Sequence, residues 1–150
     1  MINEPNFVTE KIEENSSYGK FSLSPLPAGL GTTLGHSLRR ILLSSLVGSA
    51  VTYVRINDIV HPFSTITGIK ESALDIILNI KLLRFKALGA GPYELNLKAS
   101  GRGKVYAKDF KGGGDIELVN KEQYLAEITD EKKKLDIDII IESGVGYSAS

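Results

Sequence analysis

Residues 29–45, GLGTTLGHSLRRILLSS, decide the reading of this 150-residue chain. Thr32 or Thr33 can offer a side-chain oxygen to a helix start, and Leu34, Leu38, Ile41, Leu42 and then Ser45 or Leu46 recur at the spacing of one helical face. That face calls for burial. His36, Arg40, Leu43 and Val47 repeat at intervals of three and four on a second stripe beside it, so the helix needs more than one neighbour. Two readings of this stripe stay open. Either Leu43 belongs to the core and Arg40 snorkels over it as a solvated charge, or Arg40 is a fork-shaped donor aimed at a partner protein, with Leu43 as the apolar contact beside it. Gly31 lets the chain turn tightly into the helix, and Gly35 permits close backbone packing. Gly29, Gly31 and Gly35 together imitate a phosphate-cradling loop. However, no lysine followed by serine or threonine accompanies them, and Pro25 and Pro27 break the strand-to-loop context.

Working outward, Phe21 and Leu23 alternate with Lys20, Ser22 and Ser24 in a short strand that Pro25 and Pro27 end. Gly48 stops the helix, and Ala50 to Ile59 reads as a strand rich in β-branched and aromatic residues. The domain change falls there, giving residues 1–47 and 48–150. Thr67 caps a second helix from about Ile69 to Leu82, with Leu74, Ile77, Leu78 and Lys81 along one side. Tyr93, Leu95, Leu97 and Ala99 alternate with Glu94, Asn96 and Lys98, the pattern of a half-buried strand. Gly112 to Gly114 form a turn before a strand at Ile116 to Val119, and Leu135, Ile137, Ile139 and Ile141 close the sheet. Asn120 to Tyr124 reads as a turn, and Lys132 to Lys134 as a solvated hairpin without interleaved aromatics.

Composition excludes several classes of function. Eighteen basic and eighteen acidic side chains cancel, so no global field steers the chain towards nucleic acid. The absence of cysteine removes disulfides and thiolate metal sites, which suits the cytoplasm. The opening MINEPNFVTEKIEEN is acidic where a signal peptide is basic and then apolar. The best apolar run, Ile41 to Val51, is too short and too interrupted by serine and glycine to span a membrane. His36 and His61 have no second ligand at metal spacing, and alternation turns Asp136 and Asp138 towards solvent. No nucleophile, base and orienting acid come together. Neither a catalytic site, a cofactor site nor a metal site is expected.

The stretch GLGTTLGHSLRRILLSSLVGSAVTYVRI, Gly29 to Ile56, closely resembles the N-terminal assembly region of the bacterial RNA polymerase alpha subunit. The likeness continues in order through His61 to Ser64 and Gly68, DIILNIK at Asp75 to Lys81, SGRG at Ser100 to Gly103, Gly114 to Val119 and Gly144 to Tyr147. It runs from about Lys20 to Ser150. The resemblance implies an α+β architecture of two domains: a dimerisation domain with helices on a small antiparallel sheet, and an inserted, mostly β domain. In that family the first domain is completed by a segment returning after the insert, and no such segment follows Ser150 here, so the first domain is expected to be incomplete. The resemblance further implies a non-catalytic scaffold in which two copies dimerise and nucleate the beta and beta′ subunits of a nucleotidyltransferase complex. By position, Arg40 and Leu43 resemble the family's beta-contacting pair and Lys81 its lysine on the beta′-facing side. Leu34, Leu38, Ile41 and Leu42 would form the dimer helix, with no direct contact to nucleic acid or membrane. The alternative is an independent protein-binding module of the same fold with some other partner.

Overall fold

A computed structural model describes residues 7–15, 18–89 and 91–147. Met1 to Asn6 of the opening segment and Ser148 to Ser150 of the family likeness lie outside the described residues. The chain divides into two compact units between Leu46 and Val47.

In the first unit, strand β1 (Val8–Glu14) pairs antiparallel with β2 (Gly19–Ser24), setting Thr9 opposite Leu23 and Lys11 opposite Phe21. The pairing slips once, between Lys11 and Glu13. Charged residues fill β1 and hide its period in the sequence, although a Lys11–Glu14 ion pair lies along it. The hairpin closes through Asn15, whose side-chain oxygen accepts the Tyr18 amide at 2.8 Å. Helix α1 (Leu30–Ser44) follows. Its start differs from the expected one: Gly29, at φ 85°, occupies the cap position, and no side chain caps the helix. Thr32 and Thr33 lie inside the first turn, and Gly31, already helical, is not the residue that makes the turn. Left-handed backbone is needed one step earlier, where only glycine adopts it cheaply.

The second unit is built on a six-stranded antiparallel sheet in the order β7-β5-β10-β3-β4-β8. Here β3 is Val47–Ile56, β4 Phe85–Ala87, β5 Tyr93–Ser100, β7 Phe110–Gly112, β8 Ile116–Leu118 and β10 Lys134–Val145. A second ribbon pairs β6 (Gly103–Tyr106) with β9 (Tyr124–Ile128), and helix α2 spans Ala73–Lys81. The central strand β10 alternates as expected: Leu135, Ile137, Ile139 and Ile141 are at most 1% exposed. They join Leu95 and Leu97 of β5, Ile76 and Ile80 of α2, and Leu125, Ala126 and Ile128 of β9 in one core. Full burial of each such large side chain is worth about 1.5–3 kcal/mol.

Two boundaries move. Gly48 does not stop α1 but is paired within β3 opposite Gly144, and β3 ends at Ile56 rather than Ile59. Asn57, at φ 44°, turns the chain there, and its side-chain oxygen accepts the Asp136 amide at 2.7 Å. The second helix starts at Ala73, not Ile69. Gly68 takes φ 85°, the Lys70 amide donates to the Glu127 carbonyl at 3.0 Å, and Ile69 bridges Ile128, so these residues are tied to β9. Ser72 is the cap: its hydroxyl accepts the Asp75 amide at 3.2 Å, and its own amide donates to the Asp75 carboxylate at 3.1 Å. That reciprocal box defines a helix start better than a lone threonine. The buried stripe of α2 is consequently Ala73, Ile76 and Ile80, while Leu78 and Lys81 on the expected apolar side are exposed.

Candidate functional site

The feature that separates α1 from an ordinary packed helix is exposure. None of its residues is buried, and Leu38, Ile41, Leu42, Leu43 and the following Leu46 are each more than half exposed; Leu34 is half-buried. At 100° per residue, Leu34, Leu38, Ile41 and Leu42 share one side, and His36, Arg40 and Leu43 lie roughly opposite rather than adjacent. The helix therefore presents two apolar-containing sides at once. Arg40 is exposed and has no acidic partner among the described residues, so its five donors are available. Its backbone is fixed all the same: the Ser44 hydroxyl donates to the Arg40 carbonyl at 2.7 Å, and the Ser45 amide donates to the Ile41 carbonyl at 2.9 Å. A side chain added at Gly35 would meet nothing within 4 Å in this chain, so the helix surface there is open to close approach.

Lys81 belongs to the second unit. It ends α2 in the helix's last turn, exposed, between Leu78 and Leu82, which are both more than half exposed. A cation there complements the negative end of the helix dipole. Behind it, the Asn79 side-chain amide donates to the Leu125 carbonyl at 2.9 Å and ties the helix to β9. The segment leading into α2 is held by Glu71, whose carboxylate accepts the Glu127 amide at 2.7 Å and the Tyr124 hydroxyl. Burial, reinforced by that bond, pushes the Tyr124 phenol well above its ordinary range. Arg40 and Leu43 thus share one side of one helix, and Lys81 closes another helix in the other unit.

Alternation alone set Asp136 and Asp138 in solvent, whereas the structure pairs them. Arg55 on β3 donates to Asp138 through Nε at 2.8 Å, Asn96 on β5 donates to both carboxylates, and Lys98 lies 3.6 Å from Asp136. The Arg55 hydrogen bond, followed by that from Asn96, holds the Asp138 carboxyl below its ordinary range. These contacts cross-link three adjacent strands, and their only sequence signal was opposite charge at facing positions, which becomes visible once register is known. Among the described residues no group of three or more histidines, aspartates or glutamates could hold a metal ion. The His61 ring faces Phe63 at 6.1 Å. Among those residues no helix is long and apolar enough to cross a membrane.

The described residues thus form a helix with two uncovered, apolar-containing sides and a well-packed β unit. Among known families, the one described as the RNA polymerase Rpb3/RpoA insert domain matches residues 54–150. The DNA-directed RNA polymerase subunit alpha of Clostridium perfringens (strain 13 / Type A) is 45% identical over 146 residues, covering 97% of this chain and 46% of that protein. The alpha subunit of Alkaliphilus metalliredigens has the same identity and coverage, and that of Aquifex aeolicus is 45% identical over 136 residues, covering 90% of this chain and 43% of its own length. The chain belongs to the bacterial DNA-directed RNA polymerase alpha-subunit family and corresponds to its N-terminal and insert region. It spans slightly under half the length of these relatives.

Proposed function

We propose that the chain is a non-catalytic assembly scaffold of DNA-directed RNA polymerase, dimerising through α1 and offering separate surfaces to the beta and beta′ subunits during DNA-templated transcription. One observation carries this reading: α1 buries none of its residues, although it displays leucine and isoleucine on one side and Arg40 with Leu43 on the other. Two apolar-containing sides on one helix are more than a single neighbour covers, and patches of this kind mark protein contacts. The Leu34, Leu38, Ile41 and Leu42 side meets the same helix of a second copy around a twofold axis. Arg40 and Leu43 meet beta, and Lys81 meets beta′. The first unit, to Leu46, acts as the dimerisation part and the second, from Val47 in place of the expected residue 48, as the insert. Chemistry on nucleotides belongs to the large subunits.

The test is binding of the subunit, in its full encoded length, to purified beta. Arg40→Ala combined with Leu43→Ala should weaken the complex by on the order of 2 kcal/mol or more, the range of central interface contacts, while the thermal midpoint stays unchanged. Wild-type affinity for the double variant would refute the contact.

A further inference from the structure

The exit of α2 is held by a side chain from a distant part of the sequence. Asn120 follows strand β8, and its amide nitrogen donates to the Leu82 carbonyl at 2.9 Å while its amide oxygen accepts the Arg84 amide at 2.8 Å. The two bonds imitate one more rung of the neighbouring ladder, in which the Val119 amide donates to the Arg84 carbonyl at 2.9 Å and Leu118 pairs with Phe85. Leu82 is the residue that caps α2, and its carbonyl is one of those a helix end leaves without an intrahelical donor. Asn120 satisfies it and fixes the direction in which the chain leaves the helix. Leu83, immediately beyond, is buried, which pins the other side of the same turn.

From this geometry we infer that Asn120 is a positioning residue for the partner surface formed by Leu78, Lys81 and Leu82. The inference rests on the reading of Lys81 as a contact to the beta′ subunit. Leu78, Lys81 and Leu82 follow one another at the i, i+3 and i+4 spacing that places them together at the helix end. All three are exposed, and the last turn that carries two of them is the part of a helix that frays first. Ser72 with Asp75 anchors the start of α2 and Asn79, in its last turn, ties it to β9, while Asn120 ties the residue that caps its end to the β4–β8 edge. With the clamp closed, an ammonium between two leucines is presented in one fixed arrangement. It fits a partner carboxylate flanked by apolar side chains. Without the clamp, Asn79, Ile80 and Leu83 still hold the inner side of the turn, but its exposed side loosens at Leu82, and binding bears the cost of fixing it.

Asparagine suits both bonds because it carries a donor and an acceptor on one planar group. Asn120→Ala removes both. Asn120→Asp keeps an acceptor for the Arg84 amide but sets a carboxylate against the Leu82 carbonyl, opening only the helix side.

The experiment measures affinity for purified beta′ of the full-length subunit as wild type, Asn120→Ala, Asn120→Asp, Lys81→Ala and the Asn120→Ala, Lys81→Ala double variant, with hydrogen exchange on each. Asn120→Ala should bind about tenfold more weakly, the effect of losing about 1.4 kcal/mol. Asn120→Asp should be similarly weakened while the Arg84 amide stays protected. The double variant should bind no more weakly than Lys81→Ala alone, because the clamp acts through the lysine's turn. A merely structural asparagine would instead give losses that multiply independently, or no loss beside an impaired Lys81→Ala, and either result overturns the inference. Should Lys81→Ala bind like wild type, the reading of Lys81 fails and the inference that rests on it falls with it, whereas an impaired Lys81→Ala beside Asn120→Ala binding like wild type overturns the inference alone.

Discussion

The two units of this chain are made of similarly apolar sequence and use it in opposite ways. Every buried apolar residue among those described lies between Ile56 and Ile141, in the second unit, while the first unit keeps Val8, Ile12, Phe21, Leu38, Ile41, Leu42 and Leu43 more than half exposed. The second unit builds a core, in which the inward rows of β5, β9 and β10 meet α2, and leaves Leu78 and Leu82 outside it. The described residues of the first form a hairpin and a helix that leave Leu38, Leu42 and Leu43 exposed. Hydrophobic residues therefore report two different things. In β10 they fill a core, and in α1 they stay exposed.

The sharpest way to break this contrast is to cut the same kind of side chain from both units. Ile139→Ala should lower the unfolding free energy in urea by about 2–5 kcal/mol, because a fully buried side chain leaves a cavity. Leu42→Ala should change it by less than about 0.5 kcal/mol at low protein concentration. Equal losses would show that α1 is already covered within its own chain. A second test asks what α1 is exposed for. Ile41→Asp places a charge on the proposed dimer side and should weaken self-association by on the order of 2 kcal/mol or more, read as a shift from dimer to monomer in sedimentation. A dimer of undiminished stability would move the interface elsewhere.

Smaller effects sharpen the picture inside the second unit. Ser72→Ala removes the oxygen that accepts the Asp75 amide and should cost about 1 kcal/mol in thermal unfolding, whereas Thr67→Ala, at the position the sequence favoured, should cost almost nothing. The smallest effect is the pH dependence set by Asp138. Its folded carboxyl is held below the ordinary range by Arg55 and Asn96, so its stabilisation is complete above that ordinary range and disappears as pH falls through the lower folded value. Stability curves of the wild type and Asp138→Asn should accordingly be separated at neutral pH and converge in acid. A constant gap across that window would mean the carboxylate's charge contributes nothing.

How much of this was legible depended on whether a pattern is local. Strands β5 and β10 could be read directly from alternation, because a half-buried strand writes its two faces into every second residue. The helix at α1 could be read from its period for the same reason. Strand β1 could not, since charge fills both of its faces, and neither face is buried in this chain. The start of α2 lies at Ser72, where Asp75 three residues on completes the reciprocal pattern, and not at the lone Thr67. What spacing could not supply at all was register. The Arg55–Asp138 pair joins residues far apart in the chain, as does the Asn120 clamp, and each becomes visible only when strands are laid side by side. Likewise, the period of α1 located two faces of the helix, but whether either was covered is a property of the neighbours.

One feature of the ladder bears on how the second unit responds to force. Val47 and Val145 are direct partners at the same end of the β3–β10 pair, whose rungs run on to Ile56 and Ile137. Antiparallel rungs lie across the strands, so tension applied at those two residues meets them one at a time. Pulled there, the pair peels like a zipper from Gly48 and Gly144 inwards, at forces far below those needed to slide two strands past each other in shear. The compact core would thus be mechanically soft along this axis, with Tyr53 and Ile140 released well after Val47.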